Sequence, residues 1–239
     1  MKLKRIFLSV LVGICIPIFP LQAASLLKPG NYVTENGWGM LSLQQFGDDL
    51  SFVITSTGAN GHVCELKGRI KENRASLAAA EKGKRCVVHF VSLPEGIKVD
   101  SVDGQSCSHY CGAQAYFDGV YLRPAVGCSP DEVQKKRAGF KQQFDKKSFA
   151  EAQAILQPVL ENCQKTLDVF EQAWIRNDLA LTLYRQGKVA ECLILLDPLK
   201  KLAQMTATQI TEEYLPYEAE LFQPIAKASR TNLALCSKK

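Results

Sequence analysis

The first half of the chain alternates apolar and polar residues, a pattern typical of β-strands that bury one face. Leu50, Phe52 and Ile54 lie on one face of such a strand and alternate with the polar residues Ser51 and Thr55. Turn-forming residues recur about every 8–12 positions between Gly30 and Gly127. Several short strands at this spacing predict an antiparallel β-sandwich or a small barrel, and the period alone does not choose between them.

The strongest hairpin signal in this half is the dipeptide Asp118-Gly119, which follows the alternating residues Ala113, Ala115 and Phe117. Asp-Gly suits the two-residue turns that join antiparallel strands, because both residues tolerate a positive φ. The sequence therefore predicts a hairpin at this point.

The hydrophobic period changes to 3.6 after the segment that begins at Ser129 and ends at Glu132. A capping residue, a proline in the first turn and acidic residues after it predict the start of a helix. No strand-like alternation follows, which predicts an α+β protein of two domains. We predict a signal peptide over 1–23, a disulfide-bonded β domain over 24–128 and an all-α helical domain over 129–239.

The helical half matches itself at a shift of 40 residues. The pattern has a small residue, then a leucine one turn later, then a proline that we expect to end the helix. Ala152, Leu156 and Pro158 in the first copy correspond to Cys192, Leu196 and Pro198 in the second. One helical hairpin is therefore predicted twice.

The second copy resembles the tetratricopeptide repeat. Leu179 and Ala180 match the opening pair of the first helix, Tyr184 the closing aromatic residue and Gly187 the turn. The resemblance implies helical hairpins that stack to bury their apolar faces and offer a concave surface. The copies depart from the family in their spacing, which is 40 rather than 34 residues, and in Lys147, which stands at the first turn.

The first 23 residues have the composition of a cleavable secretory signal peptide. Basic residues at Lys2, Lys4 and Arg5 precede an apolar run, and Ala23 and Ala24 suit a leader peptidase. The run is about 15 residues long, short of the ~20 needed for a membrane-spanning helix. The sequence thus predicts export to the periplasm or the extracellular space, with no stable membrane anchor after cleavage.

Removing this leader nearly neutralises the chain. The whole sequence has 29 basic and 24 acidic residues, and the leader carries three of the basic ones and no acidic one. The net charge that remains, about +2, is spread over short basic runs, whereas nucleic-acid binding needs a clustered basic face. We expect no nucleic-acid partner.

Eight cysteines remain after the leader, and an even count in an exported chain predicts disulfide bonds. We prefer the pair Cys64–Cys86, which shares an apolar strand face, and the pair Cys192–Cys236, which joins two helices. Two of the three cysteines around the predicted hairpin are expected to pair with each other, and the third with Cys163. The eight candidates are Cys64, Cys86, Cys107, Cys111, Cys128, Cys163, Cys192 and Cys236.

All three histidines lie close to cysteines in sequence, which leaves a metal site or a thiol-dependent enzyme as the alternative function. His62, His89 and His109 with nearby thiolates could bind zinc or copper. Oxidation would remove those thiolates, and no spacing matches a standard zinc or catalytic motif. We therefore expect no metal, no cofactor and no enzymatic activity.

Aromatic residues around the predicted hairpin suggest either aromatic packing at one end of a barrel or a rigid protein-binding edge, because aromatic side chains dominate protein interfaces. The hypothesis that follows is an exported, non-enzymatic protein of the cell envelope that binds another envelope or secreted protein. An inhibitor or immunity factor against an envelope-targeting enzyme would fit by analogy. The edge comprises Trp38, His109, Tyr110, Tyr116, Phe117 and Tyr121.

Overall fold

A computed structural model describes residues 27–238, and it has the α+β fold in two parts that the sequence predicts. The signal peptide predicted for residues 1–23 lies outside the described residues. An antiparallel sheet of eight strands comes first in the chain, and helices follow it.

The sheet curls into a nearly closed barrel, which decides between the two predicted β architectures. Its strands are hydrogen-bonded in the order β4-β3-β2-β1-β8-β7-β6-β5. The outermost strands, β4 and β5, are joined by a tight turn in which Lys71 and Arg74 exchange both backbone hydrogen bonds. The strands are β1 (Gly30–Thr34), β2 (Gly39–Phe46), β3 (Asp49–Thr57), β4 (Val63–Ile70), β5 (Arg74–Ala78), β6 (Arg85–Leu93), β7 (Gly96–Ser101) and β8 (Gly119–Leu122).

The alternating pattern places one face of each strand inside the barrel. Phe52 and Phe90 meet there with their ring centroids 5.0 Å apart, and Tyr121 is fully buried beside them. The predicted hairpin at Asp118-Gly119 is wrong, because residues 111–118 form no strand. The Asp118 carboxylate instead accepts a hydrogen bond from the backbone N–H of Ser101, and β8 then pairs with β7 and β1.

Residues 102–118 form a segment that covers the end of the barrel at which β4 and β6 begin. The short helix α1 (Gly104–Cys107) lies in this cover segment. Disulfide bonds attach it to β4 through Cys64–Cys111 and to β6 through Cys86–Cys107. Phe117 from the same segment is buried in the barrel core.

The predicted pair Cys64–Cys86 is therefore wrong, although both side chains are buried on the shared apolar face. Strand β5 lies between β4 and β6 in the barrel. Neighbouring strands are about 4.8 Å apart, so residues two strands apart exceed the Cα–Cα distance of about 4.4–6.8 Å that a disulfide spans. No two of Cys107, Cys111 and Cys128 pair with each other, and Cys128 bonds to Cys163.

Four disulfide bonds use all eight cysteines of the described residues, and the predicted pair Cys192–Cys236 is one of them. Such a density of disulfides indicates a protein that folds outside the reducing cytosol. None of the helices within residues 27–238 combines the length and apolar character of a bilayer span.

Two antiparallel helical hairpins, α2–α3 and α4–α5, open the second part, and further helices pack against the second of them. Ser129 begins α2 as predicted, with its N–H bonded to the Glu132 carboxylate at 3.2 Å. The helices are α2 (Pro130–Asp145), α3 (Phe149–Asn162), α4 (Val169–Arg185), α5 (Val189–Leu196), α6 (Lys200–Gln204), α7 (Ala207–Glu213) and α8 (Pro216–Cys236).

The two sequence copies occupy matching places in these hairpins. Ala152 in α3 and Cys192 in α5 are both fully buried. Lys147 and Gly187 make the two hairpin turns with φ values of 62° and 76°. Pro158 does not end its helix as expected, because α3 continues to Asn162 and buries further apolar residues. The tetratricopeptide resemblance itself stays a prediction.

The two parts of the chain contact each other directly. The backbone N–H of Asn36, in the turn between β1 and β2, donates to the carbonyl of Lys165 at 2.9 Å. The neighbouring Gly37 lies so close to the start of α4 that a Cβ there would be 2.7 Å from the backbone nitrogen of Asp168. Gly61 makes a similar approach to the ring of Tyr217 in α8.

Candidate functional site

Two members of the predicted aromatic edge belong to the barrel core. Phe117 is 3% exposed and Tyr121 is fully buried, where its hydroxyl donates to the Phe117 carbonyl at 2.7 Å. Neither side chain is available to a partner. Tyr121 stands between Val120 and Leu122, and such a short apolar run is also typical of a buried strand.

The other members form two surface pairs. The ring centroids of Trp38 and Tyr116 lie 4.7 Å apart, and Tyr116 is 53% exposed. The ring centroids of His109 and Tyr110 lie 3.9 Å apart with the rings tilted, and the Tyr110 hydroxyl donates to the Ala78 carbonyl. These contacts account for the four residues as packing against the barrel, with Tyr110 partly buried against its core.

The three histidines of the alternative hypothesis do not meet. His62 Nδ1 lies 2.8 Å from the Ala113 carbonyl, whereas His89 sits on β6 with its Nε2 buried and without a hydrogen-bond partner among the described residues. His109 is exposed in the cover segment. Within residues 27–238, no group of three histidine, cysteine, aspartate or glutamate side chains is arranged to hold a metal ion.

A concave site lies in the helical part, between the first helices of the two hairpins. This α2–α4 groove has a volume of about 620 Å³, within the range of about 300–1,000 Å³ found for ligand sites. Its wall combines aromatic and aliphatic side chains with charged ones. The lining residues are Gln134, Arg137, Ala138, Phe140, Lys141, Phe144, Asp145, Glu171, Asp178 and Leu181.

Helical spacing brings these residues to one surface. On α2, Arg137, Lys141 and Phe144 are separated by intervals of three or four residues, which place side chains on one helix face. On α4, Glu171 and Asp178 are seven residues apart, two turns of one face. Asp168 caps α4 by accepting a hydrogen bond from the N–H of Glu171 at 2.7 Å, which fixes where the groove begins.

The apolar part of the groove rests on the helical core. The ring centroids of Phe140 and Phe144 lie 5.7 Å apart, and Phe144 also meets Phe149 edge-on at 5.3 Å. Phe140 is buried, whereas Phe144 and Leu181 are half-buried and face the opening. Apolar surface that is part of a rigid core yet open to solvent suits a ligand-binding wall.

Arg137 lies between the two carboxylates of α4. Its guanidinium nitrogens are 3.7 Å from Glu171 and 3.8 Å from Asp178, both beyond hydrogen-bond range. Burial raises the pKa of Asp178 to about 6, and the attraction of Arg137 only partly opposes that rise. Burial also raises the pKa of Glu171, with repulsion from Asp168 adding to it.

Carboxyl groups with raised pKa values in a cleft mark candidate functional sites. The groove has the components of a binding site, namely an apolar wall and convergent charged groups. Sequence reasoning missed it, since Arg137 reads there as the end of a short surface run with Lys135 and Lys136. The available signal was the seven-residue spacing of Glu171 and Asp178.

The structure thus defines a two-part α+β protein with a mixed apolar and charged groove on its helical part. Comparison of the chain with models of protein families, with curated proteins and with solved structures finds no match.

Proposed function

We propose that this is an exported, non-enzymatic protein of the cell envelope that binds a segment of another envelope or secreted protein in the α2–α4 groove. The single observation that carries the proposal is the groove itself, an open cleft of about 620 Å³ with Phe144 and Leu181 in its wall. An inhibitor or immunity factor against an envelope-targeting enzyme is the role that we favour by analogy.

Binding is favoured over thiol chemistry by the state of the cysteines. A cysteine nucleophile or a metal–thiolate centre needs a free thiolate, whereas all eight cysteines between residues 27 and 238 are in disulfide bonds. A thiol titration of the denatured, unreduced mature protein is expected to detect no free thiol. One or more free thiols per chain would reopen the alternative.

The groove is tested by filling it. Ala138 is an exposed residue of α2 in the groove wall, so Ala138→Trp places an indole in the cleft without disturbing a buried position. Ala154→Trp makes the same change at an exposed position of α3 that does not line the groove. The two variants add the same side chain, and thermal unfolding verifies that both fold.

Mature wild-type protein, Ala138→Trp and Ala154→Trp are each immobilised without reductant and exposed to envelope extract. We expect the wild type and Ala154→Trp to retain one stoichiometric partner that Ala138→Trp fails to retain. Equal retention by all three proteins would place the binding surface elsewhere. Recovery of no stoichiometric partner by the wild type would count against a protein-binding role.

A further inference from the structure

The two α4 carboxylates of the groove lack hydrogen-bond donors from the chain. Among the described residues, only Arg137 forms ion pairs with Glu171 and Asp178, and at 3.7 and 3.8 Å its nitrogens are too far for hydrogen bonds of ordinary length. Both carboxylates are partly open to solvent, with 30% and 35% of their side-chain surfaces exposed. An ionised carboxylate can accept several hydrogen bonds, so these two offer acceptor sites to a ligand in the groove.

The centre of the groove is also short of positive charge. One guanidinium, that of Arg137, faces both Glu171 and Asp178, and Asp168 adds a further negative charge beside Glu171. The other cation of the groove, Lys141, is already paired with Asp145 at 2.7 Å. A ligand that brings a cation would therefore be electrostatically complementary to this site.

Apolar surface lies next to these carboxylates. Phe144 and Leu181 line the same cleft, so a ligand that uses the whole groove needs apolar groups beside its cation. The carboxylates are seven residues apart on α4, a rise of about 10 Å along the helix. An extended peptide covers that length with about three residues, and neighbouring side chains would reach the apolar wall.

We infer that the segment bound in the α2–α4 groove carries an arginine or lysine that binds between Glu171 and Asp178, flanked by apolar side chains. The inference rests on the proposed function and specifies the chemistry of the partner. A guanidinium or ammonium group would make charge-assisted hydrogen bonds to carboxylates that now have none from the chain. Arg137 competes for the same carboxylates and is the residue that the incoming cation displaces.

The test uses a displayed library of random nine-residue peptides, selected against the oxidised mature protein. Peptides that bind the wild type but not Ala138→Trp are kept as groove binders, and their affinities are measured by fluorescence anisotropy. We expect these peptides to be enriched in arginine or lysine next to leucine or phenylalanine. Replacing the basic residue with glutamine is expected to weaken binding about tenfold or more.

Two groups of protein variants test the inference, because removing the carboxylates and removing Arg137 are expected to change peptide affinity in opposite directions. Glu171→Gln with Asp178→Asn is expected to weaken basic peptides at least tenfold, because the acceptor charges are lost. Arg137→Gln is expected to strengthen them several-fold, because a competing cation is removed. Glu212→Gln on the exposed face of α7 removes a carboxylate outside the groove and is expected to change nothing.

The outcomes separate the inference from the proposed function. The inference would be overturned if the groove-dependent peptides lack basic residues, carry acidic residues, or bind Arg137→Gln more weakly than the wild type. In each of these cases the groove would still be a peptide-binding site. A library that yields no peptide sensitive to Ala138→Trp would overturn both.

Discussion

The barrel and the helical part differ in how completely they bury their own apolar surface. Inside the barrel, large side chains such as Phe52, Phe90 and Tyr121 are 0–1% exposed, and the cover segment fills the end. The helical part leaves a cleft of about 620 Å³ between α2 and α4. A partner is therefore expected to bind the helical part, because its apolar surface is not fully covered by the fold.

The physical cause is the amount of strand edge or helix face that each architecture leaves exposed. A sheet that curls until its outer strands meet leaves few strand edges unpaired and buries its inner apolar face. Stacked helical hairpins bury one face against a neighbour and leave another open. In this chain the open face lies between the first helices of the two hairpins, and it carries the carboxylates Glu171 and Asp178.

The largest expected effect comes from removing a disulfide bond in either part. Cys64–Cys111 and Cys192–Cys236 join residues 47 and 44 positions apart. By the loop-entropy relation, each removal by paired alanine substitutions is expected to lower the free energy of unfolding by about 4 kcal/mol. Urea unfolding of the two double variants measures it.

Hydrogen exchange then tests whether the two parts loosen separately. Loss of Cys64–Cys111 is expected to lower amide protection in β4 and the cover segment, and loss of Cys192–Cys236 in α5 and α8. If both variants lose protection at the same amides, the barrel and the helical part unfold together and do not differ in stability. Loss of Cys86–Cys107, which closes a shorter loop of 21 positions, is expected to cost less, about 3 kcal/mol.

A smaller loss of unfolding free energy is expected from substitutions at the contact between the barrel and the helical part. Gly37 has φ +70° and would place a Cβ 2.7 Å from the backbone of Asp168, whereas Gly47 has φ +60° and open space around it. Gly47→Ala is expected to cost about 1 kcal/mol of unfolding free energy for its backbone alone. Gly37→Ala adds the clash and is expected to cost about 1–3 kcal/mol more.

Thermal or urea unfolding of the two glycine variants makes this comparison. Because both positions have a left-handed backbone, the difference between the variants isolates the contact between barrel and helices. Equal destabilisation would mean that the two parts do not rely on this contact.

The smallest expected effect concerns the pH dependence of the open groove. Burial raises the pKa of Asp178 from 3.8 to about 6, so the folded protein keeps this proton to a higher pH than the unfolded chain. The free energy of unfolding is therefore expected to fall as the pH rises from about 4 through about 6. Because the side chain is 35% exposed, we expect a loss of only about 1 kcal/mol.

Asp178→Asn removes this titration and is expected to make the stability curve less steep over that pH range, with the raised pKa of Glu171 accounting for a remaining slope. Urea unfolding of the wild type and the variant at pH 4, 5, 6 and 7 measures the difference. Parallel curves for the two proteins would show that burial does not raise the pKa of Asp178. Glu212→Gln, an exposed carboxylate change, serves as the control.

The features predicted correctly from sequence are those set by local pattern. Strand alternation, the helix start at Ser129 and the change of period predict the two-part fold, and the capping interaction of Ser129 with Glu132 confirms the helix start. The pair Cys192–Cys236 was predictable because both cysteines fall on helices of adjacent units.

The features that sequence reasoning missed depend on contacts between distant segments. Asp118 is typical of a turn in sequence, but its carboxylate accepts a hydrogen bond from the backbone N–H of Ser101 in β7. The tight turn that joins β4 to β5 uses Glu72 and Asn73, with φ values of 50° and 61° and no glycine to reveal it. The groove required knowing that α2 and α4 face each other, which no local pattern states.

The bond Cys128–Cys163 has a mechanical consequence. It fastens the last residue before the helical part to the end of α3, so the chain that joins β8 to this bond is only residues 123–127. The same short stretch beyond α3 also receives Asn36 and Gly37 from the barrel. A force applied to the barrel would therefore reach this stretch both along the chain and through the Asn36 and Gly37 contacts, a few residues from Glu171 at the edge of the groove.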